Sequence, residues 1–214
     1  MRRAPNGIAR MPYGMKRGVV MELGWGNQKA SKFVTNVGLI TSDGPNGQDI
    51  MGAEWTYYVS WSPAIITVHI GKSIDGKGKA TLDNIRAKKE FGVNIAAEDQ
   101  NVFASIAGGS SGHDVDKLAV LRGMGAMFYK AKHIGAPMLL GAALNAECRV
   151  KEIVELGDIS MVVGEVLEIE AHDEKKPLIY SFGKYYELGA QIHKPKQDVL
   201  DKISALTEKN RKKR

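Results

Sequence analysis

Apolar residues along the chain come in short runs separated by turn formers, and the runs change period several times. The stretch FVTNVGLIT (33–41) reads as a strand. SDGPNGQ (42–48) is dense in turn residues, and a second strand follows over 49–55, so the pair predicts a hairpin. AIITVHI (64–70) is β-branched and apolar throughout, the pattern of a buried strand. ATLDNIRAKKE (80–90) spaces Leu82, Ile85 and Ala87 as a short amphipathic helix, and FGVNIA (91–96) returns to a buried strand. DQNVFASIAG (99–108) predicts a helix with Asp99 as its N-cap. After the loop GGSSG (108–112), HDVDKLAVLRG (113–123) predicts another helix that stops at Gly123.

The second half is more plainly β. MFYKAKHI (127–134) alternates. Two long strands over 143–155 and 159–171 meet at the tight turn Leu156-Gly157-Asp158. In the second of these the period-2 pattern breaks at Gly164-Glu165, which predicts a bulge or bend. PLIYSFGKYYELG (177–189) adds a strand pair or a strand with a loop, and DVLDKISALTEKN (198–210) places Val199, Leu200, Ile203 and Leu206 on one helical face. The reading yields seven or eight strands and three or four helices. The strands are linked by hairpins rather than by crossover helices, so it favours a mainly β, antiparallel barrel or sandwich with added helices over a doubly wound sheet. The organisation expected is an N-terminal arm over 1–30, one barrel domain over 31–190, and a C-terminal helix with a basic tail over 191–214.

Composition narrows the classes. With 214 residues, 43% hydrophobic and 25% charged, the chain can bury a core and is not disordered. No apolar run is long enough for a membrane helix. Cys148 is the only cysteine, which excludes an internal disulfide and fits a cytoplasmic protein. The net charge of +6 sits at the ends. Residues 1–22 carry Arg2, Arg3, Arg10, Lys16 and Arg17 against Glu22, and the final KNRKKR carries five more cations, whereas 23–208 holds 20 basic and 23 acidic residues. Polybasic ends are either solvated tails or contacts for nucleic acid or anionic surfaces. The acidic body, without alternating aromatic and basic strand positions, argues against a nucleic-acid platform.

No catalytic constellation stands out. The five histidines (His69, His113, His133, His172, His193) are scattered and none pairs at metal-ligand spacing, so no metal site is expected. There is no nucleophile elbow, no Walker loop and no dinucleotide fingerprint. Three segments do carry chemistry. AEWTYYVSWSPA (53–64) packs tryptophans, tyrosines and hydroxyls into one turn region, either a rim of core aromatics or a platform for a planar ring. GKSIDGKGKATLDN (71–84) brings Lys72, Ser73, Lys77 and Lys79 to a helix start near Thr81, either a solvated basic loop or a phosphate cradle. GGSSGHDVDK (108–117) places small residues and Lys117 at another helix start, either a connection or a second phosphate-side loop. Together they describe a site for an aromatic ring that carries a phosphate, as flavin mononucleotide (FMN) does.

GAEWTYYVSWSPAIITVHI, ATLDNIRAKKEFGVNI, SGHDVDKL and VELGDISMVVGEVLEIE, in this order and spacing, resemble the flavin reductase-like family over about residues 30–190. The resemblance implies an FMN-binding split barrel, usually a homodimer with FMN near the subunit interface. Carried over by position, it implies that Ala53, Glu54, Trp55, Thr56 and Tyr57 line the isoalloxazine. Ser73, Lys79, Thr81 and Asn84 would hold the ribityl phosphate. Ser110, Ser111 and Lys117 would add contacts near flavin or phosphate. Where many members have Gly-Asp-His in the late hairpin, this chain has Gly157-Asp158-Ile159, and Pro63-Ala64 stands for Pro-Pro. The implied activity is an NAD(P)H:FMN oxidoreductase, a flavin or ferric reductase passing hydride from NADH or NADPH through FMN to a small-molecule or protein acceptor. The flavin does the chemistry, so no acid–base residue is assigned. The alternative is a flavoredoxin-like electron carrier without efficient NAD(P)H turnover, a reading that Ile159 favours.

Overall fold

The computed structural model describes Met21, Leu23 and residues 27–72 and 78–212. Most of the arm expected over 1–30 lies outside these residues, as do Ser73 and Lys77 of the basic loop. A 3-10 turn at Gln28–Ala30 leads into β1 (Thr35–Asn36), β2 (Gly38–Ser42), β3 (Asp49–Ala53), β4 (Thr56–Trp61) and β5 (Ala64–Gly71). Then come α1 (Ala80–Lys88), β6 (Glu90–Ile95), α2 (Asn101–Gly109), α3 (Lys117–Gly123), β7 (Phe128–Lys130) and β8 (Pro137–Leu139). The chain continues with β9 (Leu144–Leu156), β10 (Ile159–Ala171), β11 (Ile179–Ser181), β12 (Lys184–Tyr186) and α4 (Gln197–Lys209).

Seven strands form one antiparallel sheet in the order β3-β2-β6-β9-β10-β5-β4. The sheet curls. Met51 and Ala53 of β3 share one core with Ile66, Val68 and Ile70 of β5, although four strands stand between them in the order. Ile40, Phe91, Val93, Cys148 and Val162 fill the same interior, and Leu82 and Ile85 of α1 join it. The outer face of β2 and β3 is covered as well. Leu39 and Ile50 meet Ala104 and Ala107 of α2 and Leu118 and Leu121 of α3. Burial on both faces explains why β2 is a continuous buried run rather than an alternating one. The bulge expected near Gly164 is present, with register shifts between Val163 and Gly164 and again between Val166 and Glu168. Gly164 is obligatory there, since a Cβ would strike the Phe91 ring.

A neutral polar cluster knits β2, β6, β8 and β9. Asn94 donates from Nδ2 to the Leu39 carbonyl (2.8 Å), and its Oδ1 accepts from Leu139 N–H (2.9 Å) and Asn145 Nδ2 (2.7 Å). Asn145 also donates to the Leu139 carbonyl at 3.0 Å. Both asparagines are buried and each amide is partnered.

Three expectations need correction. The aromatic segment 53–64 is not a turn region: Thr56–Trp61 is a strand paired with β5, as its β-branched and aromatic residues allow. It is the sheet's edge strand, and Tyr58, Val59 and Trp61 point to solvent. Asp99 does not cap α2. It lies in a 3-10 turn at Glu98–Gln100 and pairs with Lys175 at 2.7 Å. The helix expected from 113 begins at Lys117, capped by Asp116, whose Oδ1 accepts from Ala119 N–H at 2.9 Å. Among the described residues no helix is long and apolar enough to cross a membrane. The apolar face of α4 is uncovered: Val199, Leu200, Ile203 and Leu206 are all exposed.

Candidate functional site

Four segments converge on one cleft. β3 supplies Asp49, Met51 and Gly52, the start of α1 supplies Lys79, Ala80 and Thr81, and the end of α2 supplies Ala107 and Gly108. Ser110, Ser111 and Gly112 of the following loop, with Lys117 at the start of α3, complete the lining. Hence Lys79, Thr81, Ser110, Ser111 and Lys117, three loops apart in sequence, come together as expected of a phosphate end. The convergence follows from the fold. α1 packs on β2 and β3, while α2 and α3 pack on the outer face of β3, so the strand carrying Asp49 lies beneath both helical units.

Asp49 organises this end, and nothing in the sequence pattern singled it out. Its carboxylate is buried. Oδ1 faces Lys117 Nζ at 3.1 Å, and Oδ2 accepts a short hydrogen bond from the Thr81 hydroxyl. Lys117 is only 3% exposed and Thr81 1%, so neither is a solvated surface group. Burial pulls the Lys117 ammonium below the ordinary lysine range, an effect that Asp49 opposes and the nearby Lys79 reinforces. The loop closes tightly over the pair: a Cβ at Gly112 would meet the Asp49 carboxylate. His113 N–H donates to Ser111 Oγ at 3.2 Å, and the His113 imidazole stands 3.6 Å from the Asp83 carboxylate on α1.

Asn84 does not belong to the cleft. It is fully buried and holds the β2–β3 turn, donating to Ser42 Oγ (3.1 Å) and the Gly47 carbonyl (2.8 Å) and accepting from Asn46 N–H (2.9 Å). Ser73 lies outside the described residues.

The segment expected to line a ring follows β3 directly. Ala53 and Thr56 are buried, Glu54 is half-buried, and Trp55 and Tyr57 are each 40% exposed. The segment is pinned from three sides. The Thr56 hydroxyl donates to the Ala53 carbonyl (3.1 Å), Asn36 Nδ2 donates to the Thr56 carbonyl (3.0 Å), and the His69 imidazole meets the Trp55 carbonyl at 3.1 Å. Burial raises the Glu54 carboxyl above the usual carboxylate range. Burial, then Glu54, raises the Tyr57 hydroxyl. His69 also packs its ring edge-on against Tyr57, with centroids 6.0 Å apart.

The residues present fit a flavin phosphate and ring. Two ammonium groups, two serine hydroxyls and the backbone of a glycine-serine loop face the cleft against one carboxylate, and the half-exposed aromatics follow on the same strand–turn unit. Among the described residues no group of His, Cys, Asp and Glu could hold a metal ion.

Fold and cleft define a curled antiparallel barrel with one polar site beside an aromatic edge. A family model described as "Flavin reductase like domain" matches residues 30–189, and the chain belongs to this family. It is 26% identical over 157 residues to the protein named FMN reductase (NADH) RutF of Variovorax paradoxus, covering 73% of this chain and 81% of that one. It is 30% identical over 145 residues to an uncharacterized protein of Archaeoglobus fulgidus, 66% of this chain and 77% of the relative. Among solved structures it resembles the flavin reductase PheA2 (TM-score 0.61, 29% identity, 75% of this chain and 94% of that one). It equally resembles BorF, the flavin reductase component of a bacterial two-component tryptophan halogenase (TM-score 0.64, 27% identity, 75% and 94%). The split-barrel fold that the resemblance implied is therefore the fold of this chain.

Proposed function

We propose that the protein is an NAD(P)H-dependent flavin reductase that binds FMN in the cleft between β3, α1 and the 110–117 loop. The observation that carries this reading is the convergence of Lys79, Ser110, Ser111 and Lys117 on one cleft, in a chain whose residues 30–189 match the flavin reductase family. When bound, the flavin supplies the redox chemistry, accepting a hydride from a nicotinamide and passing electrons onward. The chain's own residues bind and orient. Lys79 faces the phosphate as a free ammonium, Lys117 borders it as the partner of Asp49, and Ser110 and Ser111 offer hydroxyl donors. The 53–57 segment, fixed by Asn36, Thr56 and His69, presents its backbone and the Trp55 and Tyr57 rings to the isoalloxazine. Gly52 and Gly108 lie close enough that a Cβ on Gly52 would touch Gly108 at 3.5 Å, so backbone rather than side chain forms the wall there.

We place residues 31–190 as the flavin-binding domain, flanked by a basic arm and a terminal helix, and read the assembly as a cytoplasmic homodimer. The exposed edge strand β4, with Tyr58 and Trp61 bare, supports an interface between copies. The acceptor is a small molecule or a partner enzyme that consumes reduced flavin, in keeping with BorF being the flavin reductase component of a two-component halogenase.

The test is the visible spectrum of the purified protein with FMN, followed by anaerobic NADH. Bleaching of the flavin band supports the reductase. A yellow protein that neither NADH nor NADPH bleaches assigns it to the electron carriers, and makes Ile159 the residue to replace. A protein that takes up no flavin overturns the reading.

A further inference from the structure

The phosphate end of the cleft is less cationic than its sequence suggests. Asp49 lies at its floor, and both carboxylate oxygens are engaged with residues that would otherwise serve an anionic ligand. Oδ1 neutralises Lys117 at 3.1 Å, and Oδ2 takes the only hydrogen of the Thr81 hydroxyl. Thr81 thus turns lone pairs, not a donor, toward any incoming phosphate. Lys117 meets it as half of a compensated ion pair. Asp49 and Lys117 are both more than nine-tenths buried, and their pair is not diluted by solvent. The cations left to a phosphate on the described lining reduce to Lys79, which is half-buried at the N-cap position of α1.

We propose that Asp49 is a specificity-determining residue that discounts the flavin's terminal phosphate, so that this site holds flavin chiefly by its ring. The inference rests on the flavin reading above and adds to it which part of the ligand is read. A phosphate monoester arrives with close to two negative charges, and a buried carboxylate beside its cation opposes the second of them. Riboflavin carries the same ring without the phosphate and does not meet this opposition.

Equilibrium fluorescence titrations of the full-length protein with riboflavin and with FMN test the proposal. In the wild type the two flavins should bind within about fivefold of each other, because the phosphate gains little against a compensated pair. Asp49→Asn keeps an acceptor for Thr81 and frees the Lys117 charge. It should tighten FMN by about tenfold while riboflavin stays within about twofold, as a charge-assisted contact to phosphate is restored. A purely structural role for Asp49 would move both flavins together and leave their ratio unchanged, and that result overturns the proposal. So does a wild type that binds FMN more than about a hundredfold tighter than riboflavin, a comparison that holds even if Asp49→Asn does not fold. Binding of neither flavin to the wild type overturns the flavin reading itself, and the Asp49 assignment falls with it. Binding of both with an unmoved ratio removes only the assignment.

Discussion

Two buried polar clusters serve the same barrel by different means. The Asn94–Asn145 cluster is neutral, and its amides meet backbone groups of β2 and β8 and each other at 2.7–3.0 Å. The Asp49–Lys117–Thr81 cluster is charged and lies in the wall of a cleft. The first is closed: both amides are buried and partnered within the fold, Asn145 Oδ1 by the His172 ring nitrogen at 3.3 Å, and neither borders the cleft. The second spends a carboxylate on two residues that also border open space. A buried ion pair is a poor way to gain stability, because desolvating both charges offsets most of their attraction. A barrel that needed only cohesion is better served by amides, so the charged cluster marks the place where the molecule does something else.

The contrast is sharpest for Lys117→Met. Removing the ammonium leaves the Asp49 carboxylate buried without its counter-charge, and the expected loss is about 3 kcal/mol of unfolding free energy. Urea denaturation measures it. The double replacement Asp49→Leu with Lys117→Met should recover most of that loss, since an apolar pair of similar volume replaces both charges together. If the double variant is no more stable than the single one, Asp49 and Lys117 do not act as one energetic unit. Asn94→Ala comes next. It strips the Leu139 N–H and the Leu39 carbonyl of their partners, with an expected cost of about 2 kcal/mol. The folded fraction should bind FMN as the wild type does, and a changed affinity would dissolve the division between a structural and a ligand-facing cluster. Thr81→Ala is the smallest. It removes one hydrogen bond to Asp49, worth about 1 kcal/mol, and leaves the carboxylate more available to repel a phosphate. FMN should bind a few-fold more weakly, with riboflavin unchanged.

Much of the barrel was legible because burial and period agreed. The β2–β3 hairpin, β5, β6 and the β9–β10 ribbon with its Gly164 bulge follow from apolar runs bounded by turn formers. β4 was missed because only Thr56 of its six residues is buried and its side chains are mostly aromatic or hydroxyl-bearing, so the alternation that betrays a half-buried strand is absent. Lys79, Ser110, Ser111 and Lys117 could be proposed from loop chemistry alone. Asp49 could not. Its significance lies in a contact 68 residues away in sequence with Lys117 and another with Thr81, and a lone acid at the start of an apolar strand reads locally as a turn residue. Asn84 erred in the other direction. It sits at the right helix for a phosphate ligand, yet its amide is consumed by the preceding hairpin turn, a tertiary demand that helix position does not reveal.

The strand order has a consequence for how the chain is made. β10 is inserted between β9 and β5, so β5, which ends at Gly71, waits for a partner strand that ends at Ala171. At a synthesis rate of roughly 5–20 residues per second, those 100 residues take about 5–20 s to emerge. Through that interval the nascent chain presents Ile65, Ile66, Val68 and Ile70 on a strand with an open edge, a template for pairing with another chain. The hairpin β4–β5 can form early and covers only one side. Once β10 is in place, that edge is paired from Ile65 to Gly71 and the four apolar side chains are buried.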